Sequence, residues 1–322
     1  MTKIVVLTSG GDAPGMNAAV RAVVRSAIYY DIEVYASQSG YHGLVNQQLQ
    51  KMETTSVANC VQLGGTILKT DRCEAFFNKQ VRAQCIHYLN EMGIDYLVVI
   101  GGDGSFRGAT AVYEEGGPAV IGIPGTIDND ITGSEYTIGF DTARNTALDA
   151  IDKIRDTASS HNRNFMVEVM GRHAGFLAVD VGISGGAEYI LIPEFPISPR
   201  QLADHIQHMR ESKLSSIIVV AEGDSPGHTI ELAKKLNQLT NKNYRACVLG
   251  HIQRGGNPSA LDRKYASLMG AKAIEALKQG IYNKMVAVRG NEIVLAPFPD
   301  PKQPSRQFQD IELLKTNEII CG

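Results

Sequence analysis

The sequence has little charge of either sign and no strongly basic segment. Charged residues make up 20% of the 322 residues, the formal net charge is −3, and Lys and Arg never occur more than two in a row. A protein that binds a polyanion through many phosphate contacts needs clustered cations. We therefore do not expect nucleic acid to be a partner.

Long hydrophobic runs are also missing. Hydrophobic residues make up 43% of the chain, but no unbroken run reaches the roughly eighteen residues needed to cross a bilayer. We expect a soluble, cytoplasmic protein that does not interact with a membrane.

Cysteine is scarce and scattered. The five cysteines are never spaced as Cys-x-x-Cys, and they are Cys60, Cys73, Cys85, Cys247 and Cys321. An odd number without paired spacing favours neither a disulfide framework nor a zinc site.

Glycine, in contrast, is abundant, with 32 residues, or about 10% against roughly 7% in average proteins. Many of these glycines follow short apolar runs that are typical of buried parallel strands. The runs are residues 4–7, 96–100, 119–123, 165–169, 190–192, 217–221 and 246–249. Helical periodicity follows several of them, notably at 16–28, 141–159 and 262–277. Ser259 and Asp262 have the spacing of a capping box at the start of the last helix.

This alternation of strand, glycine turn and helix predicts an α/β fold. We expect two doubly wound, Rossmann-like α/β/α lobes with mostly parallel sheets and an active-site cleft between them. The larger lobe is predicted at residues 1–138 plus 251–300, and the smaller at 139–250 plus 301–322. Four prolines between 297 and 304 suggest an extended segment before a short final helix, although a frayed end fits equally well.

Two glycine turns are candidate phosphate sites. Residues 9–15, SGGDAPG, place backbone amides and a helix N-terminus where an anion can bind, or they form only a tight turn. Residues 101–105, GGDGS, offer Asp103 as a magnesium ligand, or as an Asx turn. Neither turn has the GxGxxG or GxxxxGK[ST] pattern, so this is not a P-loop protein.

A third loop carries two carboxylates. Asp128 and Asp130 follow Thr126 in the segment PGTIDND. One carboxylate can accept a proton from an attacking hydroxyl while the other orients the reactants, and the alternative is a polar turn with capping aspartates.

Several cations flank turns or strand ends rather than helix centres. They are Arg72, Arg163, Arg172, Arg245, Arg254 and His251. Any one of them could form a solvent-exposed ion pair, but together they favour an anionic ligand such as a phosphorylated substrate.

With these motifs assembled, the chain closely resembles the bacterial ATP-dependent 6-phosphofructokinases of phosphofructokinase family A. The resemblance runs from residue 3 to about 290 and rests on LTSGGDAPGMNAAVRAVVR, VVIGGDGS, PGTIDNDITG, AIDKIRDTASSH, VEVMGR and VLGHIQRGGNPS. It implies a glycolytic kinase that transfers the γ-phosphoryl of MgATP to the 1-hydroxyl of fructose 6-phosphate, giving fructose 1,6-bisphosphate and ADP. It also implies that the larger lobe binds ATP and the smaller lobe the sugar phosphate.

The resemblance implies specific roles. Asp128 would be the general base, and the other catalytic residues would be Arg72, Thr126 and Arg172. ATP would be bound by Gly11, Arg72, Cys73, Gly102, Asp103, Gly104 and Ser105, with Asp103 holding Mg²⁺. Fructose 6-phosphate would be bound by Thr126, Ile127, Asp128, Asp130, Arg163, Met170, Gly171, Arg172, Glu222, Arg245, His251, Ile252, Gln253 and Arg254. Arg163 and Arg245 would come from a neighbouring subunit of a homotetramer with shared active sites.

Two small residues favour ATP as the donor. Pyrophosphate-dependent relatives carry a bulkier Asp and Lys where Gly104 and Gly125 stand here. A pyrophosphate-dependent enzyme, a diacylglycerol or NAD kinase, and a catalytically silent nucleotide-binding regulator are the alternatives. A diacylglycerol or NAD kinase would leave residues 126–130 and 251–254 unexplained. A silent regulator would have no use for a catalytic base.

The family's effector site, where ADP and phosphoenolpyruvate bind, is only partly matched. The matching residues are Arg21, Arg25, Arg155, Gly186, Glu188 and Lys213. Thr54, Ala58 and Asn59 replace the usual Arg, Ser and Asp, and Glu211, Leu214 and Ser215 replace two basic residues and a histidine. Ala75 and Phe77 also replace polar residues on the nucleotide side. We expect weak or altered allosteric control, because lost charge-assisted hydrogen bonds cost about 1.5–3 kcal/mol each.

Overall fold

The computed structural model describes residues 1–207, 215–223, 227–240 and 242–321. The strands in these residues are β1 (Lys3–Ser9), β2 (Glu33–Ser37), β3 (Leu49–Lys51), β4 (Tyr96–Gly101), β5 (Ala119–Pro124), β6 (Asn164–Val169), β7 (Tyr189–Leu191), β8 (Ser216–Ala221), β9 (Tyr244–Val248), β10 (Lys284–Arg289) and β11 (Glu292–Pro297). The helices are α1 (Met16–Tyr29), α2 (Tyr41–Val45), α3 (Lys79–Glu91), α4 (Asp103–Glu114), α5 (Phe140–His161), α6 (Phe176–Ser184), α7 (Pro199–Gln207), α8 (His228–Leu239), α9 (Ala260–Lys278) and α10 (Ile311–Cys321). Short 3₁₀ turns lie at Thr54–Val57, Glu74–Phe77 and Gly250–Arg254.

Contacts within the chain divide it into two compact units. The first unit is Met1–Ile127, Ile131–Thr142 and Arg254–Ser305, and the second is Asp128–Asp130, Ala143–Gln253 and Arg306–Gly322. These ranges differ from the predicted lobes in four short segments, namely residues 128–130, 139–142, 251–253 and 301–305.

The first unit is built on a seven-stranded sheet with the order β11-β10-β5-β4-β1-β2-β3. Its five inner strands are parallel, and the edge strands β3 and β11 pair antiparallel with their neighbours. The chain runs from β1 to β2 on one side and later places β4 on the other side of β1. The strand order therefore reverses between β1 and β4, and ligands bind beyond the carboxyl ends of the strands at such a point.

Burial explains why the apolar runs predicted these strands. The side chains at 4–7 in β1 and 97–100 in β4 are fully buried, as expected for a parallel sheet covered on both faces. Three further strands, β2, β3 and β11, were not predicted, because they are short or only half-buried and have no continuous apolar run. β10 has such a run at 285–288, and this signal could have predicted it.

The second unit contains a four-stranded parallel sheet with the order β7-β8-β6-β9. The chain passes from β6 to β7 and β8 on one side and then returns to β9 on the other. The strand order therefore reverses between β6 and β9. The same physical rule points to the segments after these two strands as ligand-binding positions.

The predicted start of α9 is confirmed only in part. The Ser259 hydroxyl oxygen caps the helix by accepting a hydrogen bond from the Asp262 backbone N–H at 3.2 Å. The reciprocal half of the capping box is not formed, because the Ser259 N–H donates instead to Thr142 Oγ1 at 2.9 Å. The Asp262 carboxylate accepts hydrogen bonds from Tyr136, Gly139 and Thr142.

The tail contains an irregular segment followed by α10, which is the first of the two alternatives that the prolines left open. Asn317 on α10 is buried, and its side-chain amide donates to the carbonyl oxygen of Ala187 at 2.9 Å. This contact ties the final helix to the second unit. Across the described ranges, every helix is too short or too polar to serve as a membrane span.

Candidate active site

The turn after β1 is packed against an arginine. A Cβ atom added to Gly11 would lie 2.1 Å from Arg254 Nη1, and that nitrogen donates to the carbonyl oxygen of Asp12 at 3.2 Å. The Arg254 guanidinium can therefore lie against the β1 turn only because residue 11 has no side chain. Gly10 has φ +88, a left-handed conformation that favours glycine.

The turn after β4 lies beside the turn after β1, because Ser9 and Gly101 are paired in the sheet. A Cβ at Gly101 would lie 2.5 Å from the Ser9 carbonyl oxygen and 2.6 Å from Ser105 Oγ. The two turns are thus in close contact at the reversal of strand order. The Tyr41 hydroxyl donates to the Ser105 carbonyl oxygen at 2.6 Å, and burial raises the pKa of Tyr41, which keeps this donor protonated.

Asp103 is the first residue of α4, and its carboxylate is partly exposed. Arg107, one helical turn later, places Nη2 2.7 Å from Asp103 Oδ2. Among the described residues, no three His, Cys, Asp or Glu side chains converge to form a protein-only metal site. The arrangement suits a metal that arrives with its own ligands, since Mg²⁺ is commonly held by one or two carboxylates plus substrate phosphates.

The two glycines expected to select the phosphoryl donor lie in different surroundings. A Cβ at Gly104 would meet nothing within 4 Å. A Cβ at Gly125 would lie 3.1 Å from Met16 Cε and 3.3 Å from Ile100 Cγ2. Gly104 therefore faces open space, whereas a side chain at position 125 would crowd Met16 and Ile100.

The segment that carries Arg72 and Cys73 reaches the β1 turn. Thr70 Oγ1 donates to the carbonyl oxygen of Gly10 at 2.8 Å, and Thr8 Oγ1 donates to that of Lys69 at 2.7 Å. Cys73 is half-buried and packs against the core of the first unit, while Arg72 is exposed. These two hydrogen bonds place the segment next to the glycine turn.

Thr126 lies close to the β4 turn. Its Cβ would be 3.9 Å from a Cβ on Gly102, and the Gly125 N–H donates to the Gly101 carbonyl oxygen at 3.0 Å. Its own carbonyl oxygen accepts a hydrogen bond from Thr137 Oγ1 at 2.6 Å. The structure thus brings Thr126 together with the predicted nucleotide residues of the first unit.

After Ile127 the chain enters the second unit. Asp128 is 7% exposed and Asn129 5%, so both are buried, whereas Asp130 is half-buried. Asn129 has φ +54, a left-handed conformation that is uncommon for a residue with a side chain. Such backbone strain is concentrated at functional sites.

The segment after β6 shows the same kind of strain. Gly171 has φ +137 and Arg172 has φ +56. The Arg172 N–H donates to Glu222 Oε1 at 3.0 Å, and Glu222 directly follows β8. Met170 is buried while the Arg172 side chain is exposed. This hydrogen bond joins residues that follow two neighbouring strands, β6 and β8.

The remaining predicted substrate residues lie near β6 and β9. Gly250–Arg254 forms a 3₁₀ turn in which His251 and Ile252 are exposed and Gln253 is fully buried. The Gln253 side chain donates to the Gly250 carbonyl oxygen at 3.1 Å and so holds the turn. Arg163 is half-buried just before β6, and Arg245 is an exposed residue of β9.

The predicted effector residues fall into two groups. Arg21 and Arg25 are on α1 in the first unit, and α1 packs against the 3₁₀ turn Thr54–Val57. In the second unit, Arg155 Nη2 donates to the carbonyl oxygens of Gly185 and Gly186, both at 2.7 Å, and Nη1 lies 3.6 Å from Glu188 Oε1. Lys213 lies outside the described residues, as do Glu211 and Leu214.

Sequence reasoning missed three side chains that hold these segments. Arg107 pairs with Asp103, and the i,i+4 spacing on α4 was a usable signal. Tyr41 supports Ser105, and Arg306 binds the 128–130 loop. No local pattern pointed to the last two, because their partners are far away in the sequence.

The chain is similar to known proteins over most of its length. A family model described as Phosphofructokinase matches residues 3–277. The chain is 57% identical over 320 residues to the ATP-dependent 6-phosphofructokinase of Coxiella burnetii, covering 99% of this chain and 98% of that protein.

Solved structures share the fold. The T-state structure of Pichia pastoris phosphofructokinase matches with a TM-score of 0.85 at 38% identity, over 92% of this chain and 35% of that one. The pyrophosphate-dependent phosphofructokinase of Marinobacter aquaeolei matches with a TM-score of 0.84 at 23% identity, over 100% of this chain and 92% of that one, and at this identity the likeness shows the fold alone. The family model covers most of the chain and the Coxiella relative is more than half identical to it, so the resemblance inferred from the motifs is confirmed: this chain belongs to the phosphofructokinase family.

Proposed function

We propose that this chain is an ATP-dependent 6-phosphofructokinase that acts in the cytoplasm. It would transfer the γ-phosphoryl group of ATP to the 1-hydroxyl of fructose 6-phosphate. The observation that carries the proposal is the contact between the two glycine turns after β1 and β4, at the reversal of strand order, with open space beside Gly104. Backbone amides and the N-terminus of α4 can bind phosphate oxygens there.

Nucleotide binding is proposed for the first unit. Gly11, Cys73 and the 102–105 turn would surround the phosphates, with Arg72 and Thr126 stabilising the transferring group. Mg²⁺, which neutralises charge on the phosphate oxygens when it is bound, would be held by Asp103 together with the nucleotide. Arg107, the present partner of Asp103, would then have to release it.

Sugar-phosphate binding is proposed for strand ends of the second unit and for Arg254. Arg172, His251 and Arg254 would supply charge-assisted hydrogen bonds to the 6-phosphate and the transferring group. Arg163 and Arg245 would do so from a neighbouring subunit of a homotetramer. Glu222, joined to the Arg172 backbone, would accept hydrogen bonds from sugar hydroxyls.

Proton transfer is proposed for Asp128. Its carboxylate would take the proton of the 1-hydroxyl as that oxygen bonds to the γ-phosphorus, while the bond from the γ-phosphorus to the ADP oxygen breaks. The burial of Asp128 limits the access of water that would compete with the sugar. Because phosphoryl transfer requires little covalent work from the protein, positioning and charge stabilisation would supply most of the rate enhancement.

A coupled assay with fructose 6-phosphate tests the activity and the donor together. We expect turnover with MgATP and little with pyrophosphate, and the reverse preference would overturn the choice of donor. Asp128→Ser should lower kcat by about a hundredfold or more with little change in the KM for the sugar. Asp152→Ser, at an exposed position of α5, is the matched control and should keep wild-type activity. Equal activity of the two variants would remove Asp128 from the role of base.

A further inference from the structure

Three consecutive residues of the C-terminal tail bind three loop segments of the second unit. The Arg306 N–H donates to the carbonyl oxygen of Asp130 at 2.8 Å. The Gln307 side chain donates to that of His173 at 3.2 Å, and the Phe308 N–H donates to Glu194 Oε1 at 2.9 Å. The tail therefore holds the loops that follow β5, β6 and β7, although it lies beyond the segment that the family motifs cover.

The Arg306 side chain also contacts the 128–130 loop and the start of α6. Its Nη1 donates to the carbonyl oxygen of Asn129 at 3.4 Å, and its guanidinium carbon lies 4.3 Å from the centre of the Phe176 ring. A planar guanidinium can stack on an aromatic ring and donate hydrogen bonds at its edge at the same time. Arg306 thus connects the 128–130 loop to the first residue of α6.

The stacked ring is itself held in place. Phe176 packs edge-to-face on Phe308, with ring centres 5.8 Å apart, and Phe308 is 8% exposed. The Glu194 carboxylate that accepts from Phe308 also accepts from the Gly175 N–H, at 2.9 and 3.1 Å for its two oxygens. The Phe176 ring therefore contacts both Arg306 and Phe308, and the Glu194 carboxylate joins the backbone next to Phe176 to that of Phe308.

These contacts fix two consecutive carbonyl groups directly after Asp128. Asn129 is held at φ +54, a conformation that a residue with a side chain leaves readily unless its surroundings fix it. Rotation of the peptides at 129 and 130 would turn the preceding residue, and a misplacement of about 1 Å in a reacting group can cost on the order of a hundredfold in rate.

We propose that Arg306 is a positioning residue, which sets the orientation of Asp128 through the backbone of Asn129 and Asp130. This inference rests on the proposed function, in which Asp128 is the base. In this proposal Arg306 contributes to the reaction by orienting Asp128, and it does not bind the substrate itself.

The experiment compares Arg306→Met, Arg306→Lys and Gln309→Ala in the full-length chain. Gln309 is an exposed tail residue and is the matched control. Arg306→Met should lower kcat by about ten- to fiftyfold with less than a threefold change in the KM for fructose 6-phosphate. Arg306→Lys, which keeps one charged donor, should recover most of this loss, and Gln309→Ala should match the wild type. Equal kcat for Arg306→Met and Gln309→Ala would overturn the proposal.

Hydrogen exchange separates this inference from the proposed function, because it needs no activity. Backbone amides between 127 and 132 should exchange at least about tenfold faster in Arg306→Met than in Gln309→Ala. The amides of β8 should keep wild-type protection in both variants, which verifies that they are folded. Unchanged exchange of the loop would overturn the positioning role even in an active enzyme. Faster exchange in a chain without kinase activity would support the loop contact and contradict the proposed function alone.

Discussion

The guanidinium of Arg254 occupies the space that a side chain at Gly11 would fill. The Arg254 Nη1 atom lies 2.1 Å from the position of a Cβ at residue 11 and donates to the carbonyl oxygen of Asp12, 242 residues away in the sequence. Two residues proposed to bind different substrates are thus in direct contact within the first unit. This contact makes the identity of residue 11 a test of the proposed site.

Gly11→Ala should leave the fold intact and impair the reaction. The atom it displaces is the far end of a flexible side chain, so we expect a melting temperature within about 2 °C of the wild type. Displacement of Arg254 should lower kcat/KM for fructose 6-phosphate by about tenfold, the cost of one weakened charge-assisted hydrogen bond. Steady-state kinetics measure this effect. Asp152→Ser, at an exposed position of α5, is the control, and equal losses in both variants would contradict the proposed use of Arg254.

The two donor-selecting glycines should respond differently to substitution. Gly104→Asp should fold normally and raise the KM for ATP by about tenfold or more, because a carboxylate would then stand beside the phosphates. Gly125→Ala should lower the free energy of unfolding by about 1–3 kcal/mol, because its Cβ crowds Met16 and Ile100. ATP kinetics and urea unfolding of both variants distinguish the effects. An unstable Gly104→Asp with a normal KM would contradict the assignment.

The buried carboxylate of Asp262 holds the segment 136–142. It accepts hydrogen bonds from Tyr136 Oη at 2.5 Å, the Gly139 N–H at 2.7 Å and the Thr142 N–H at 2.8 Å, and it is fully buried. Asp262→Asn turns one accepting oxygen into a donor, and we expect a loss of about 1–3 kcal/mol in the free energy of unfolding. Urea unfolding measures this loss, and Asp152→Asn, at an exposed position of α5, should show none.

The pH dependence of the Asp262 contribution has a defined sign. Desolvation by burial raises the pKa of Asp262 above its ordinary value of 3.8, although its hydrogen bonds oppose the shift. The folded chain therefore keeps this proton to higher pH than the unfolded chain does. The stability that Asp262 contributes should be fully present below pH 3.8 and should decline as the pH rises through the raised folded value. A contribution that increases over this window would contradict the shift.

Cysteine labelling can test the nucleotide segment. Burial raises the pKa of the Cys85 thiol to about 11 and also raises that of Cys60, so both should resist alkylation at pH 8. Cys73 is half-buried and should be alkylated faster. MgATP should slow the modification of Cys73 by several fold and leave that of Cys321, on α10, unchanged. Mass spectrometry of the labelled chain gives both rates, and a Cys73 rate that does not respond to MgATP would remove this residue from the proposed site.

Allosteric control should be weak. The Arg155 guanidinium is already occupied by Gly185, Gly186 and Glu188. Thr54, Ala58 and Asn59 are uncharged, so this segment adds no cation to those of α1. We expect ADP and phosphoenolpyruvate at millimolar concentration to change the sugar half-saturation by less than about threefold. Steady-state titration of each effector measures this change. Strong sigmoidality that micromolar ADP relieves would show that the effector site is intact.

Much of the candidate site could be predicted from local patterns. The buried strands β1, β4, β5 and β8 have continuous apolar runs, and the run of β6 is interrupted only by Glu168. Their glycine turns lie where the backbone must be free of side chains. The edge strands escaped prediction because half-buried or very short strands have no such run. Asp262 has the spacing of a capping residue, but its carboxylate accepts hydrogen bonds from Tyr136 and Thr142. A buried carboxylate requires more hydrogen bonds than the start of a helix supplies.

The sequence by itself determined the α/β class, the family and the segments that carry the chemistry, because turns and buried strands have requirements that a few adjacent residues satisfy. Only the tertiary structure decided which distant side chains support those segments. Arg306 reaches Asn129 across 177 residues of sequence and Arg254 reaches the Gly11 turn, and no local spacing encodes either contact. The physical reason is that each arginine acts through backbone carbonyl groups, which every residue has, so only the packing of the folded chain selects the partner.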